Sequence, residues 1–345
     1  MIGLRFFGLL VGVIALFFLL KKRRQKRQVR GSLFLPMLLS IGLVSISALP
    51  TITTLPATLL SLNNVEAGRI IALQLIGLLI LFVLFFWERS KNTKTKQTLN
   101  RLAVGLGCNN FCPMVDLKPN SVWVVIPALN EEDNLKELLP KIPSEVCGLD
   151  VIPVIIDDGS TDNTLDVARS QATSFASLPT NFGGGVALLT GFALAIRNHA
   201  SIVVTMDADN QHNPNDIESL VSAIVQEDAD LVIGSRHMGD FEKVSTIRSI
   251  GLFVFNWLIN FLQGTKITDC ASGFRAIRCN KLQEWELLQS QYHTAELIIE
   301  SAKSGSYILE VPISVKNRSY GESKKGKDLK YGLFFLRTVL KTWLR

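Results

Sequence analysis

Histidine is scarce in this chain. The 345 residues include four, His199, His212, His237 and His293, widely spaced and with no Ser-His-Asp arrangement around them. A nucleophilic triad is therefore not the chemistry to expect. Cysteine is sparse too, at five residues. Cys108 and Cys112 have the loose spacing of a metal pair, but no second pair of Cys or His completes a tetrahedral site. Charged residues make up only 19% of the chain and mean hydropathy is above zero, which is more apolar than most soluble proteins. The net charge of +6 sits beside apolar segments without any aromatic-basic recognition motif, so nucleic acid is excluded as the partner it would otherwise suggest. No internal repeat or low-complexity array is present.

What the chain does have is three long apolar stretches, at about residues 4–20, 33–49 and 70–87. Each is near the spanning length of about 20 residues, and together they predict three transmembrane helices in an N-terminal membrane region over residues 1–89. A cleaved signal peptide would carry its basic residues before the first apolar run. Here Lys21, Lys22, Arg23, Arg24, Lys26, Arg27 and Arg30 follow it. A second basic set, Arg89, Lys91, Lys94, Lys96 and Arg101, follows the third stretch, whereas the loop 50–68 holds only Glu66. Basic residues stay on the cytoplasmic side, so the expected topology puts everything after Glu88 inside, attached to a plasma or endoplasmic-reticulum type membrane. Reduced thiols are the default there. Contact with anionic lipid headgroups is a second role open to the basic clusters. Residues 90–120, polar and then Gly/Cys/Pro-bearing, read as a linker.

From Ser121 the pattern changes to apolar strands alternating with amphipathic helices, which predicts an α/β domain with a largely parallel sheet. Strands over 122–126, 151–156 and 202–206, and a fourth in ADLVIGS, end respectively in PALNEEDNL, DDGSTDNT, DADNQHNP and Arg236-His237. Ser160, Thr161 or Asp162 is available to cap the helix after the second. Ligands in open α/β sheets bind beyond the carboxyl ends of the strands, so four polar clusters at one edge predict a crevice there. Alternation along the third strand puts Asp207 and Asp209 on one face and turns Ala208 away. Paired hard oxygen ligands suit Mg²⁺ or Mn²⁺ on a diphosphate; solvated turn carboxylates are the alternative for an isolated D-x-D.

The series PALNEE, IDDGSTDNT, GGGVALLTGFALA, MDADNQH, GSR, DCASGFRA, EVPI and R-x-x-GESK resembles a family-2 glycosyltransferase of the dolichol-phosphate mannosyltransferase and polyprenyl-phosphate glycosyltransferase type. The resemblance covers about residues 120–325 and implies a GT-A fold over 121–328. It implies a donor site for a nucleotide-diphosphate sugar, GDP-mannose or a UDP-hexose, at Pro127, Leu129, Glu131, Asp157, Asp207 and Ala208, with Arg318 and Lys324 closing over the phosphates. Asp207, Asp209 and Gln211 match metal-ligand positions. Arg236 and Arg248 match arginines that hold an acceptor phosphate, for which a planar guanidinium is well shaped. Asp269, Ser272 and Arg275 match the acceptor side. The implied reaction is inverting attack by a polyprenyl or dolichyl phosphate on the sugar, with Asp209, Arg236, Arg248 and Asp269 as the catalytic set. Leu129 stands where many relatives carry Tyr, and Gly185 and Val186 where many carry Lys or Arg.

Two further segments bear on a lipid acceptor. Residues 250–262 are too short to span and read equally as an interfacial helix or a buried one. In the C-terminal helix expected over 329–345, Lys330, Arg337, Lys341 and Arg345 share one face, which fits a membrane surface; packing on the catalytic domain or a sister subunit in a homo-oligomer is the alternative. A processive synthase would carry Q-x-x-R-W and later membrane helices, which this chain lacks. An inactive nucleotide-binding scaffold is the competing class, against which the intact Asp207 and Asp209 stand.

Overall fold

Uninterrupted runs of valine and isoleucine make strands that must be covered on both faces, and the chain after residue 120 is arranged to do so. The computed structural model describes residues 9–15, 17, 40–41, 44–45, 58, 68–239, 246–289, 293–316 and 328–344. The chain divides into two units, residues 1–94 and 95–345.

In the first unit, residues 9–15 and 17 are helical, as are 40–41 and 44–45. Gly12 lets these two stretches touch, because a Cβ there would lie 2.7 Å from Val44 Cγ2. Helix α1, Gly68–Asn109, is continuous over 42 residues. It contains the third apolar stretch and runs on through most of the expected linker, whose polar sequence holds no proline before Pro113. The first two apolar stretches lie mostly outside the described residues. Among the described residues, no helix is long and apolar enough to cross a membrane.

The second unit is a three-layer α/β sandwich. Its strands are β1 (Val122–Ala128), β2 (Glu145–Val146), β3 (Leu149–Asp157), β4 (Ser174–Ser177), β5 (Ile202–Thr205), β6 (Leu231–Ser235), β7 (Arg275–Arg278) and β8 (Ile308–Pro312). The order β3-β1-β5-β7-β6-β8 is parallel except for β7, which runs against both neighbours; β4 adds in parallel to β3, and β2 pairs antiparallel with the start of β3. The four strands expected from the sequence therefore all point one way.

Alternate residues feed opposite layers. Trp123, Val125, Val154 and Val203 face one core with helix α4 (Gly184–Arg197), helix α7 (His293–Lys303) and parts of α6 (Thr246–Gln263) and α8 (Asp328–Trp343). Val122, Val124, Ile155 and Val204 face the other, with α2 (Glu132–Leu138), α3 (Thr164–Ser170) and α5 (Asp216–Gln226). The last turn of α1 joins the first layer, with Ala103 buried and Gly107 against Leu178 and Thr190.

Helix α6 is buried on one side and exposed on another. Ile259 is buried and Phe255 meets Phe335 of α8 with ring centroids 4.5 Å apart, while Phe253, Trp257 and Phe261 are exposed. Helix α8 likewise buries Phe335, Thr338, Val339 and Thr342 and exposes Arg337 and Lys341.

The closest approach of helix to sheet is at Gly191 of α4, where a Cβ would stand 2.2 Å from Val125 Cγ1 of β1. Val125 is a buried, β-branched neighbour with little room to turn. Gly191→Ala is expected to destabilise the fold by about 1–3 kcal/mol through overpacking. In urea denaturation, adding Val125→Ala should recover part of that loss.

Candidate active site

Parallel pairing puts the polar ends of β1, β3, β5 and β6 along one edge. Ala128 pairs with Asp157, and Val125 with Thr205, which sets the register of the loops that follow. The loops after β1 and β3 are tied into one wall. Asn130, at a φ of 51°, accepts the Thr161 N–H on Oδ1 (2.8 Å), and its own N–H donates to Ser160 Oγ (2.9 Å). The Glu131 N–H donates to Thr164 Oγ1, and the Glu131 carboxylate accepts from Asn134 Nδ2 at 2.7 Å. Of the three capping candidates, Asp162 is the one that accepts the Thr164 N–H at the start of α3.

Asp157 and Asp158 divide the work at the end of β3. Asp157 Oδ1 accepts the Ser160 N–H (3.0 Å), shaping the turn that opens the expected donor pocket. Asp158 accepts from the N–H groups of Phe182 and Gly183, both at 2.8 Å, and so fixes the entry to α4. Burial pushes both carboxyls above the ordinary aspartate range, against the pull of these backbone bonds. Gly159 makes the turn feasible: its φ is +78°, and a Cβ would fall 2.6 Å from the Thr180 carbonyl carbon. Pro127 and Leu129 are half-buried and Ala128 is buried on the same edge.

Asp207 and Asp209 follow β5, with Ala208 buried between them. Gly273, just before β7, gives Asp207 its space, since a Cβ there would lie 3.0 Å from Asp207 Oδ1. Asp209 Oδ1 accepts the Gln211 N–H at 3.3 Å. The Gln211 amide donates its nitrogen to the Lys316 carbonyl (3.1 Å), and the Lys316 N–H returns to the Gln211 carbonyl (2.9 Å). That bond uses the nitrogen end of the amide, and the oxygen end is the one that suits a cation. Two carboxylates with one amide oxygen are a donor set that suits a hard divalent ion. Among the described residues, no group of three or more His, Cys, Asp and Glu gathers.

Arg236 leaves β6 and meets Asp269 in a two-pronged ion pair, Nε to Oδ2 and Nη2 to Oδ1, each at 2.7 Å. The Arg236 backbone N–H also reaches Asp269 Oδ2. Asp269 is wholly buried and Arg236 is 18% exposed. Burial alone would raise the Asp269 carboxyl, but the Arg236 bonds and charge, with His237 nearby, outweigh it and hold the group below its ordinary range. Burial would lower Arg236, and Asp269 together with Asp207 more than offsets that. Two of the guanidinium nitrogens are thus committed to Asp269, so the arginine meets a ligand in one fixed direction.

The loop carrying Asp269 is anchored by Glu310, which the sequence reading did not single out, and by Arg275, which it placed on the acceptor side. Glu310 of β8 accepts the N–H groups of Thr268 (2.8 Å) and Asp269 (3.0 Å). Arg275, fully buried and drawn down to about 10 by burial, donates to the carbonyls of Ser272, Thr294 and Cys270. It therefore braces the loop from inside, and Ser272 is buried against it. The Arg248 side chain, Arg318 and Lys324 lie outside the described residues.

The family model for glycosyl transferase family 2 matches residues 123–285. An undecaprenyl-phosphate mannosyltransferase of Micrococcus luteus is 31% identical over 214 residues, 59% of this chain and 86% of that protein. The chain belongs to glycosyltransferase family 2. A polyprenol monophosphomannose synthase of Mycolicibacterium smegmatis is 30% identical to this transferase over 61% of its chain and 83% of the relative. Glucosyl-3-phosphoglycerate synthase from Mycobacterium tuberculosis, crystallised with Mn²⁺, UDP and phosphoglyceric acid, overlays with a TM-score of 0.50 at 24% identity, covering 65% of this chain and 78% of that one. That overlay shows the shared GT-A fold.

Removing one partner of a buried pair leaves the other charge uncompensated. Asp269→Asn in the transferase is expected to cost about 3–5 kcal/mol in chemical denaturation at neutral pH. Because the folded Asp269 titrates below its unfolded value, its contribution is present above the ordinary aspartate range and is lost as pH falls through the folded value. The gap between wild type and Asp269→Asn should therefore narrow in acid, whereas Asp157 and Asp158, shifted the other way, act equally in both proteins.

Proposed function

We propose that this transferase moves a sugar from a nucleotide-diphosphate sugar, GDP-mannose or a UDP-hexose, to a polyprenyl or dolichyl phosphate at the cytoplasmic surface of a membrane. The observation that carries the acceptor is a largely apolar groove of ≈ 410 Å³ between α6 and the loop before Asp269. It is lined by Phe253, Trp257 and Ile267, and also by His237 and Thr268, the chain neighbours of Arg236 and Asp269. An isoprenoid phosphate has this polarity, with a charged head for the arginine and a greasy tail for the groove. Membrane attachment is supported by exposed Phe253, Trp257 and Phe261 on α6, by exposed Leu78, Leu81, Phe82 and Phe85 on α1, and by Arg337 and Lys341 of α8. The names of the relatives in Micrococcus and Mycolicibacterium favour the same acceptor class.

In this reading the walls formed by 129–132 and 157–164 hold the nucleoside, and Asp207 and Asp209 face the diphosphate. A divalent cation held by Asp207, Asp209 and Gln211 would neutralise charge on the leaving nucleoside diphosphate. A phosphate monoester is already ionised near neutral pH, so its oxygen needs no general base. It attacks the anomeric carbon from the face opposite the diphosphate; the new C–O bond forms as the old one breaks, and configuration inverts. Arg236, held by Asp269, orients the attacking phosphate, with Arg248 beside it in the sequence order of the site. Arg318 and Lys324 screen the donor phosphates. The residues thus contribute positioning and charge stabilisation.

A panel of labelled nucleotide sugars, offered with polyprenyl phosphate and Mg²⁺ or Mn²⁺ to detergent-solubilised protein, tests the reading. Label should enter the lipid phase from one donor, disappear with chelator, and fall at least about a hundredfold in Asp209→Ala. Folded wild type that binds nucleotide yet labels no polyprenyl phosphate would contradict it.

A further inference from the structure

Helix α6 has a second, inward-facing chemistry beside its apolar one. Asn256 and Asn260, one turn apart, spend both ends of their amides on the backbone of residues 264–270. Asn256 Oδ1 accepts the Cys270 N–H at 2.9 Å while its Nδ2 donates to the Thr268 carbonyl. Asn260 Oδ1 accepts the Ile267 N–H and the Thr265 hydroxyl, both at 2.8 Å, and its Nδ2 returns to the Ile267 carbonyl at 2.9 Å. Asp269 thus sits between two residues, Thr268 and Cys270, that one side chain of α6 grips from both sides. The next residues along the helix, Trp257 and Phe261, are exposed and stacked with centroids 5.5 Å apart, and Trp257 lines the groove together with both asparagines.

We propose that Asn256 and Asn260 are positioning residues for the acceptor phosphate: they set the height of the Asp269 carboxylate relative to α6, and through it the direction of the Arg236 guanidinium. The assignment rests on the reading of Arg236 as the acceptor-phosphate arginine. Both asparagines also line the acceptor groove, and the assignment concerns the bonds by which their amides hold the loop. Their effect should fall mainly on the acceptor, since the loops at 129–132 and 157–164 are braced by bonds to each other. The same helix carries the exposed aromatic face, so a shift of α6 at a lipid surface moves the loop with it.

The test uses the full-length protein in detergent with polyprenyl phosphate and the active nucleotide sugar. Asn256→Asp keeps the acceptor for Cys270 but sets a carboxylate oxygen against the Thr268 carbonyl, and Asn260→Asp does the same at Ile267. Each is expected to raise the acceptor KM, or lower kcat at saturating donor, by roughly tenfold to a hundredfold, as a displacement of about 1 Å does. Donor KM and nucleoside-diphosphate binding, measured by calorimetry, should stay within about twofold. Asp166→Ala, which removes a surface partner of Arg169, serves as the control for unchanged kinetics. Equal losses in donor and acceptor parameters, or unchanged acceptor kinetics in a folded Asn260→Asp, would overturn the assignment while leaving the transferase reading intact. Wild type inactive towards every polyprenyl phosphate would overturn both.

Discussion

The ion pair of Arg236 and Asp269 is the contact on which the side of the crevice proposed for the acceptor depends. A buried pair is a poor source of net stability, because desolvation of both ions offsets their attraction. Its value here is direction. The two parallel bonds at 2.7 Å fix the guanidinium plane, and the carboxylate that fixes it is itself immobile. Glu310 holds Asp269 from β8, Asn256 and Asn260 hold its loop from α6, and Arg275 holds the carbonyls of Cys270 and Ser272, which follow it, from within. Three separate elements thus converge on one carboxylate.

The donor side is built differently. There the loops after β1 and β3 brace each other with neutral bonds, and Asp158 reaches to the start of α4. Asp207 stands between the halves, with Gly273 of the acceptor side leaving room for it and its charge acting on Arg236. In the proposed reaction one carboxylate would belong to both substrates' surroundings. There a sugar passing from a leaving diphosphate to an attacking phosphate brings two anions to one carbon, and fixed charges at a shared point would hold them in place.

Much of this was legible in the sequence, for reasons that are physical. Strands β1, β3, β5 and β6 are covered on both faces, so they read as continuous apolar runs ending in polar clusters. Strands β4 and β7 were not legible: SFAS is short and polar, and RAIR opens with Arg275, whose charge is buried only because three carbonyls meet it. Asp207 and Asp209 announced themselves by spacing. The Arg236–Asp269 pairing spans 33 residues and the Glu310 bonds 41 and 42, distances at which no local pattern survives. Asn256 and Asn260 carried no signal of their own in an apolar helix, because the loop they hold lies 7–14 residues further on. The continuation of α1 through residues 90–109 was hidden by composition, since polar residues without proline suit a helix as well as a linker.

The most direct test of a single crevice is a crystal structure of the protein with Mn²⁺ and the nucleoside diphosphate of its donor, using anomalous scattering to locate the metal. The account predicts an Mn²⁺ peak between the Asp207 and Asp209 carboxylates, the diphosphate on that ion, and Arg236 still bound to Asp269 facing it. Mn²⁺ bound away from both aspartates, or Arg236 released from Asp269, would contradict it.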